Sequence, residues 1–283
     1  MMTLREVLNK GSAFLRNAGI ESYALDAALL LAKVLNTNRT RLLIDAENHI
    51  GECNCKIYYK LLQRRANHEC TAYITNSKDF RFLELYVNKN VLLPRPDTET
   101  LVEAAICRID ELKKMEKEIY VLDMCTGSGA VALSLKYERP FINMYASDIS
   151  AAALSVAKRN AEKYQLQDDV CFIQSDTFEN ITKRFDIIVS NAPYIPSALI
   201  KTLRLEVQNE PLIALDGGID GLEIIRQIIS SARKYLLLNG CVFLEAAPEQ
   251  MHEIKNIFIA GGFYGIDIKR DLSGAARVIC AMV

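Results

Sequence analysis

From residue 119 onward, short apolar runs alternate with helix-length segments, and this alternation narrows the fold more than any other feature of the chain. Strands are expected at 119–123, 141–147, 170–174, 186–190 and 240–245, and helices at 130–137, 151–164, 221–237 and 249–260. Such a rhythm is that of a mostly parallel α/β sheet covered on both faces, since parallel neighbours are joined by crossover helices. The end breaks the rhythm. Residues 265–269 and 277–282 are strand-like and separated only by a loop containing Leu272, Ser273 and Gly274, which predicts a C-terminal antiparallel hairpin completing the sheet.

Residues 1–70 carry helix patterns almost exclusively. Leu4, Val7, Leu8, Phe14 and Leu15 recur at helical spacing with Gly19 as a natural stop, 26–35 is dense in Ala and Leu, and 52–67 sets Ile57, Leu61 and Leu62 on one face. A small helical bundle is expected. Residues 71–75 and 80–87 are rich in aromatic and β-branched types around a turn-like 76–79, which predicts a two-stranded hairpin. The expected division is therefore a helical domain at 1–70, a β-hairpin linker at 71–96 and an α/β domain at 97–283.

The first α/β strand ends in Asp123 and turns through Cys125, Thr126, Gly127, Ser128 and Gly129 into a helix. A glycine turn at the carboxyl end of a strand lets backbone approach a ligand closely and aims free N–H groups at it. The second strand ends in Ser147 and Asp148, where a carboxylate can accept from a ribose diol, and the third ends in Ser175 and Asp176. This is a layout for a nucleoside cofactor. A carboxylate at Asp123 repels pyrophosphate but suits the ammonium of S-adenosyl-L-methionine, and the spacing Asp123-x-x-x-Gly127-x-Gly129 resembles motif I of the class I methyltransferases. Cys125 stands where glycine is more usual in that motif.

The fourth strand runs into Ser190-Asn191-Ala192-Pro193-Tyr194. This resembles the N-P-P-Y motif of methyltransferases acting on planar nitrogen, whose delocalised lone pair makes it a poor nucleophile. The Asn oxygen and the next backbone carbonyl accept the two N–H groups, so positioning and charge stabilisation do most of the catalysis. Ala192 replaces the first proline. Pro193 after it still favours an extended backbone at 192, so the carbonyl keeps its direction with less rigidity.

Further segments extend the resemblance along the whole chain. The stretch Leu93-Pro94-Arg95-Pro96-Asp97-Thr98-Glu99, the stretch from Glu210-Pro211 through Gly217-Gly218 to Asp220-Gly221-Leu222, the pair Leu244-Glu245 and the terminal Asp271-Leu272-Ser273-Gly274 are similar to the release-factor glutamine methyltransferases, the HemK/PrmC family. That resemblance implies a Rossmann-like class I methyltransferase domain behind a helical substrate-recognition domain. It implies methyl transfer from S-adenosyl-L-methionine to the glutamine amide in the Gly-Gly-Gln motif of class I peptide chain release factors. By position it implies that Asp123, Cys125, Thr126, Gly127, Ser128, Gly129, Asp148, Thr177 and Asn191 bind the cofactor. It likewise implies that Asn191, Ala192, Pro193 and Tyr194 hold the glutamine. The chain departs from the family pattern at Ala192, at 246–248 and at 275–276.

Two alternatives remain open on the sequence: a nucleic-acid amino methyltransferase, and a cofactor-binding homologue weakened at Ala192. Against the first, 34 Lys+Arg balance 35 Asp+Glu, and no basic stripe interleaved with aromatics is present. No apolar run approaches the ~20 residues of a membrane span, and the N-terminus lacks an apolar signal core, which points to the cytoplasm and reduced thiols. His49, Cys53, Cys55, His68 and Cys70 cluster in sequence but not at zinc-ligand spacing, so no metal is expected. Cys107, Cys171, Cys241 and Cys280 lie in apolar stretches and are expected in the core.

Overall fold

The computed structural model describes residues 2–283. The chain enters α1 (Leu4–Asn17) through a capping box, in which the Thr3 hydroxyl accepts from the Glu6 N–H and the Glu6 carboxylate accepts from the Thr3 N–H. Helices α2 (Tyr23–Val34), α3 (Arg39–Ile44), α4 (Glu52–Ala66) and α5 (Thr71–Thr75) follow. They bury Val7, Leu15, Leu30, Leu31, Tyr58 and Leu62 in one core. The chain divides into two compact units, and this first one comprises the residues up to Ser77 together with Arg204–Asn209. A buried ion pair joins its helices through Asp26 and the Arg65 guanidinium at 2.7 Å.

The expected strand at 71–75 is the short helix α5. The β-branched residues that suggested a strand are accommodated because the Thr75 hydroxyl donates back to the Thr71 carbonyl, and Asn76 closes the turn in the left-handed conformation. The hairpin lies further along, β1 (Lys78–Phe80) with β2 (Leu83–Leu85), reversing at Arg81 and Phe82. It is packed into the second unit rather than strung out as a linker: Phe80, Leu83 and Leu85 share a core with Leu101 and Ile109 of α6 (Glu99–Lys113). The boundary between the units falls between Ser77 and Lys78.

The second unit then alternates β3 (Tyr120–Met124), α7 (Ala130–Glu138), β4 (Asn143–Asp148), α8 (Ala151–Lys163), β5 (Val170–Gln174) and β6 (Phe185–Ser190). The short α9 (Leu205–Gln208) lies in the segment that belongs to the first unit, and α10 (Glu223–Tyr235), β7 (Leu236–Glu245), α11 (Met251–Ala260), β8 (Tyr264–Arg270) and β9 (Ala276–Met282) complete the chain. The seven strands stand in the order β5-β4-β3-β6-β7-β9-β8, parallel from β5 to β7, with β9 antiparallel to both of its neighbours. Successive residues face opposite sides. Val121, Ile187 and Val189 pack under α6 and α7, whereas Leu122, Ile188 and Val242 pack under α10 and α11. Burial on both faces is why these strands read as continuous apolar runs. The chain leaves β3 toward β4 on one side and returns to β6 on the other, so a crevice opens at the carboxyl ends of β3 and β6.

Of the four cysteines expected in the core, Cys241 is buried and Cys280 half-buried, but Cys107 and Cys171 are exposed. No helix among the described residues is long and apolar enough to cross a membrane. Among the same residues, no group of three or more His, Cys, Asp or Glu side chains is placed to hold a metal ion.

Candidate active site

A cavity of about 770 Å³ opens at that crevice, within the usual range for small-ligand sites. Four strand ends form its floor. From β3, Asp123 is buried, and its Oδ2 accepts from the Thr126 hydroxyl at 2.6 Å and the Ala132 N–H at 3.1 Å. Burial outweighs both hydrogen bonds and pushes the Asp123 carboxyl up to about 7. Cys125 follows with φ +61° and faces the cavity, its thiol pushed up to about 12 by burial and then by the Asp148 charge. Gly127 has φ +55°, and the position of an added Cβ meets nothing within 4 Å, so a ligand can come directly against this backbone.

From β4, Asp148 accepts from the Gly127 N–H and the Ser150 N–H, each at 2.9 Å, and burial raises it above the ordinary carboxylate range. Ser175, Asp176 and Thr177 enter from β5. Thr126 and Ser128 also line the space, but Gly129 does not. With φ +82°, Gly129 turns into α7 with the Leu133 and Ala157 side chains closest to it. The lining includes Asp123, Asp148, Asp176, Asp216 and Glu223, and among the described residues it includes no Lys, Arg or His. Such a site rejects polyphosphate and favours a ligand carrying positive charge. The acidic strand ends and the open backbone at Gly127 fit S-adenosyl-L-methionine, with its sulfonium and ammonium groups.

At the end of β6, the Ser190 hydroxyl donates to the Met124 carbonyl at 2.7 Å and locks the two switch-point strands together. Asn191 and Pro193 line the cavity. The Asn191 Nδ2 donates to the Thr98 hydroxyl oxygen at 3.1 Å. No hydrogen bond among the described residues occupies the Asn191 Oδ1 or the Ala192 carbonyl. Ala192 as a whole residue is 1% exposed, packs in the core under α10 and is not among the residues that line the cavity. Tyr194 is turned away from the cavity. Its hydroxyl donates to the Glu245 carboxylate at 3.3 Å, and burial raises its pKa above that of an ordinary phenol.

The opposite wall comes from residues outside the glycine turn and the Asn191–Tyr194 motif. Val91, Leu93, Pro94 and Thr98 form one part, and Leu212, Ile213, Ala214, Asp216 and Gly218 another. The latter segment is zipped to the motif: the Ile195 N–H donates to the Leu215 carbonyl at 3.0 Å and the Gly217 N–H to the Ile195 carbonyl at 2.9 Å. The Gln250 Nε2 donates to the Tyr194 carbonyl at 2.9 Å from behind. Glu210 anchors the start of the segment, accepting from the Leu93 N–H at 2.9 Å and pairing with Arg95. The paired glycines at 217–218 and 221 were the sequence signal for this close backbone packing.

Residues 6–75 match the PrmC N-terminal domain, and residues 107–203 match the methyltransferase small domain. The chain is 37% identical over 285 residues to the release factor glutamine methyltransferase of Clostridium acetobutylicum, covering 99% of each. It is 37% identical over 266 residues to that of Agrobacterium fabrum, covering 94% of this chain and 92% of that one. It is also 37% identical to the bifunctional methyltransferase of Rickettsia felis, spanning 98% of this chain but only 57% of that longer protein. Among solved structures, the hMettl16 catalytic domain aligns with TM-score 0.56 at 17% identity over 78% of this chain and 81% of that one, a likeness of fold alone.

Proposed function

Because the chain belongs to the release factor glutamine methyltransferase family, we propose that it methylates the side-chain amide nitrogen of the glutamine in the Gly-Gly-Gln motif of class I peptide chain release factors. The cofactor is S-adenosyl-L-methionine, which supplies an electrophilic methyl group on sulfur. The observation that carries the reading is the Asn191 amide. Its nitrogen is committed to Thr98, so its oxygen stands free at the edge of an acidic cavity.

The residues divide the work as follows. Asp148 offers acceptors for a ribose diol, while Thr126, Gly127 and Ser128 present backbone and hydroxyl groups from the turn before α7. Cys125 and Thr177 close the same wall, and Asp123 supplies a carboxylate for a cationic group. The Asn191 Oδ1 and the Ala192 carbonyl each accept one N–H of the substrate amide, which holds its nitrogen in line and stabilises the positive charge that develops there. Pro193 stiffens the backbone at 192. When bound, S-adenosyl-L-methionine would supply the methyl group, its sulfur leaving with the bonding pair as a neutral thioether, and the proton lost from the methylated nitrogen would pass to solvent water. Tyr194 acts from behind the motif, through its hydrogen bond to Glu245, rather than by holding the glutamine as the resemblance implies.

In the same reading the helical unit recognises the release factor, and the unit beginning at Lys78 carries the chemistry, in the cytoplasm where release factors work. Nucleic acid is the weaker substrate class, since the acidic lining offers no cation to a phosphate backbone. Mass spectrometry of a release factor incubated with the protein and S-adenosyl-L-methionine tests the proposal. A gain of one methyl group on the Gly-Gly-Gln peptide is expected, and an unmodified peptide at full cofactor occupancy rules the reading out.

A further inference from the structure

Asn160 lies fully buried on α8 and outside the cavity lining, yet every part of its side-chain amide is engaged. Its Oδ1 accepts from the Tyr86 N–H at 2.7 Å, and its Nδ2 donates to the Tyr86 carbonyl at 3.0 Å and to the Ser128 carbonyl at 2.9 Å. A backbone N–H can only donate and a carbonyl only accept, so one orientation of the amide satisfies all three groups.

The bond to Ser128 answers a shortage of donors at the start of α7. In a helix continued one turn back, the Ser128 carbonyl would accept from the Ala132 N–H. That N–H donates instead to the Asp123 Oδ2 at 3.1 Å. Among the described residues, no hydrogen bond other than that from Asn160 reaches the Ser128 carbonyl, and Ser128 is 3% exposed. A buried carbonyl without a donor is costly. The same peptide unit carries the Gly129 N–H, which donates to the Thr126 carbonyl at 2.8 Å. Fixing the Ser128 carbonyl therefore fixes the turn from Thr126 to Gly129, whose other side is held by the Asp148 carboxylate on the Gly127 N–H. Tyr86 follows β2 and leads into the opposite wall of Val91, Leu93 and Pro94 through a tight turn, in which the Asn90 N–H donates to the Asn88 Oδ1 at 2.9 Å and the Val91 N–H to the Asn88 carbonyl at 3.2 Å. One side chain thus ties the glycine turn to the wall that faces it.

Resting on the cofactor site read above, we infer that Asn160 is a positioning residue for S-adenosyl-L-methionine: it holds the Ser128 carbonyl and the Tyr86 peptide together, so that the turn before α7 and the opposite wall meet the cofactor at a fixed separation. It touches neither cofactor nor substrate itself.

Three measurements test this. In calorimetric titrations, Asn160→Leu should bind S-adenosyl-L-methionine ~10–100-fold more weakly than wild type, the effect of leaving buried partners unpaired beside the ligand. Asn160→Asp keeps an acceptor for the Tyr86 N–H but, ionised, has no proton for the Ser128 carbonyl, and it should lose affinity likewise. Val156, buried on the same helix and outside the lining, supplies the control. Val156→Ala should lower Tm by opening a small cavity while affinity stays within ~3-fold of wild type. Wild-type affinity in the Asn160 variants, or an equal loss in Val156→Ala, overturns the inference. At saturating cofactor, kcat of the Asn160 variants should stay within ~3-fold of wild type, and a loss of kcat at unchanged affinity overturns it as well. In the wild-type protein, both Asn160 side-chain amide protons, identified by their loss in Asn160→Asp, should exchange with solvent ~100-fold more slowly than those of exposed asparagines. Rapid exchange of either proton overturns the inference even where a variant fails to fold. A protein that binds the cofactor but leaves release factor unmethylated contradicts the proposed substrate alone, whereas one that binds no cofactor overturns both.

Discussion

The backbone of Gly221 runs so close under the Tyr194 carbonyl that an added Cβ stands 2.3 Å from its oxygen. Gly217 holds the same relation to the Pro193 carbonyl, at 2.7 Å. The loop between β6 and α10 is therefore a backing plate for the substrate motif, shaped by two residues that have no side chain to intrude. Gly221 also has φ +78°, a conformation costing about 1–2 kcal/mol for other residues. Gly221→Ala is expected to displace the motif and lower kcat by ~100-fold. Cofactor affinity should change little, because the strand ends of β3 and β4 are untouched. Single-turnover rates beside calorimetric cofactor titrations separate the two effects.

The cofactor half of the cavity predicts a pH dependence. Asp123 is held at about 7 in the folded chain, above the ordinary carboxylate value near 4 to which unfolding returns it. The stability this group contributes is thus complete below about pH 4 and is lost as pH rises through about 7, since the unfolded chain ionises first. Burial raises Asp148 in the same direction. In the cofactor-free protein, Tm should fall more between about pH 5 and about pH 8 for wild type than for Asp123→Asn. Cofactor affinity should move the opposite way, rising over that interval because a cationic ligand favours the ionised carboxyl. An identical Tm profile for the two proteins removes Asp123 from the argument.

Asp148 gives a test by affinity. Its carboxylate braces the turn through the Gly127 N–H while leaving lone pairs toward the cavity. Asp148→Ala should weaken S-adenosyl-L-methionine by ~1.5–3 kcal/mol, the range for hydrogen bonds to a charged group. Asp148→Asn keeps one oxygen acceptor and should lose less. Calorimetry showing full affinity in the Ala variant ends the assignment of this strand end to the ribose.

Which parts were legible in the sequence follows from how local each constraint is. Strands buried on both faces have to be apolar throughout, so β3 and β6 announce themselves within one or two residues. Asp123, Asp148 and Asn191 stand at strand ends, and Gly127 soon after the first and Pro193 soon after the last mark those two locally. Thr71–Thr75 misled because five residues are too few to establish a period, and the left-handed cap at Asn76 decided the outcome. Cys107 and Cys171 sit in apolar stretches but project to the surface, which composition alone cannot distinguish. The roles of Thr98 and Glu245 were hidden because their partners, Asn191 and Tyr194, are brought to them only by the folded sheet.

Arg65 predicts how the helical unit is held. Its guanidinium lies at 2.7 Å from Asp26 and 3.1 Å from Glu206, a residue of the segment Arg204–Asn209 that completes this unit. Arg65→Met leaves Asp26 buried without its cation, which costs about 3–5 kcal/mol when one partner of such a pair is removed. Hydrogen exchange should report faster opening in α2, α4 and α9 than in the strands β3 to β6. A double variant, Asp26→Leu with Arg65→Met, should recover much of the loss. Equal protection in wild type and single variant means that the pair does not hold the unit together.

The sharpest contrast lies between Asn191 and Ala192. The Asn191 oxygen is a side-chain acceptor, so Asn191→Ala removes it outright and should cost roughly 2.7–4 kcal/mol of transition-state stabilisation, like a lost oxyanion-hole donor. Ala192 contributes only its carbonyl. Its side chain faces a packed core, so Ala192→Pro fixes φ near −65° but also adds ring atoms where little room exists. If the backbone alone matters, Ala192→Pro should keep a rate within ~10-fold of wild type even where its Tm drops, whereas Asn191→Ala falls at least ~100-fold at unchanged Tm. Opposite movement of rate and stability in the two variants is the expected signature. A rate loss in Ala192→Pro as deep as that in Asn191→Ala, at unchanged Tm, shows that the side chain or N–H of residue 192 takes part, and the two-acceptor account of the amide site fails.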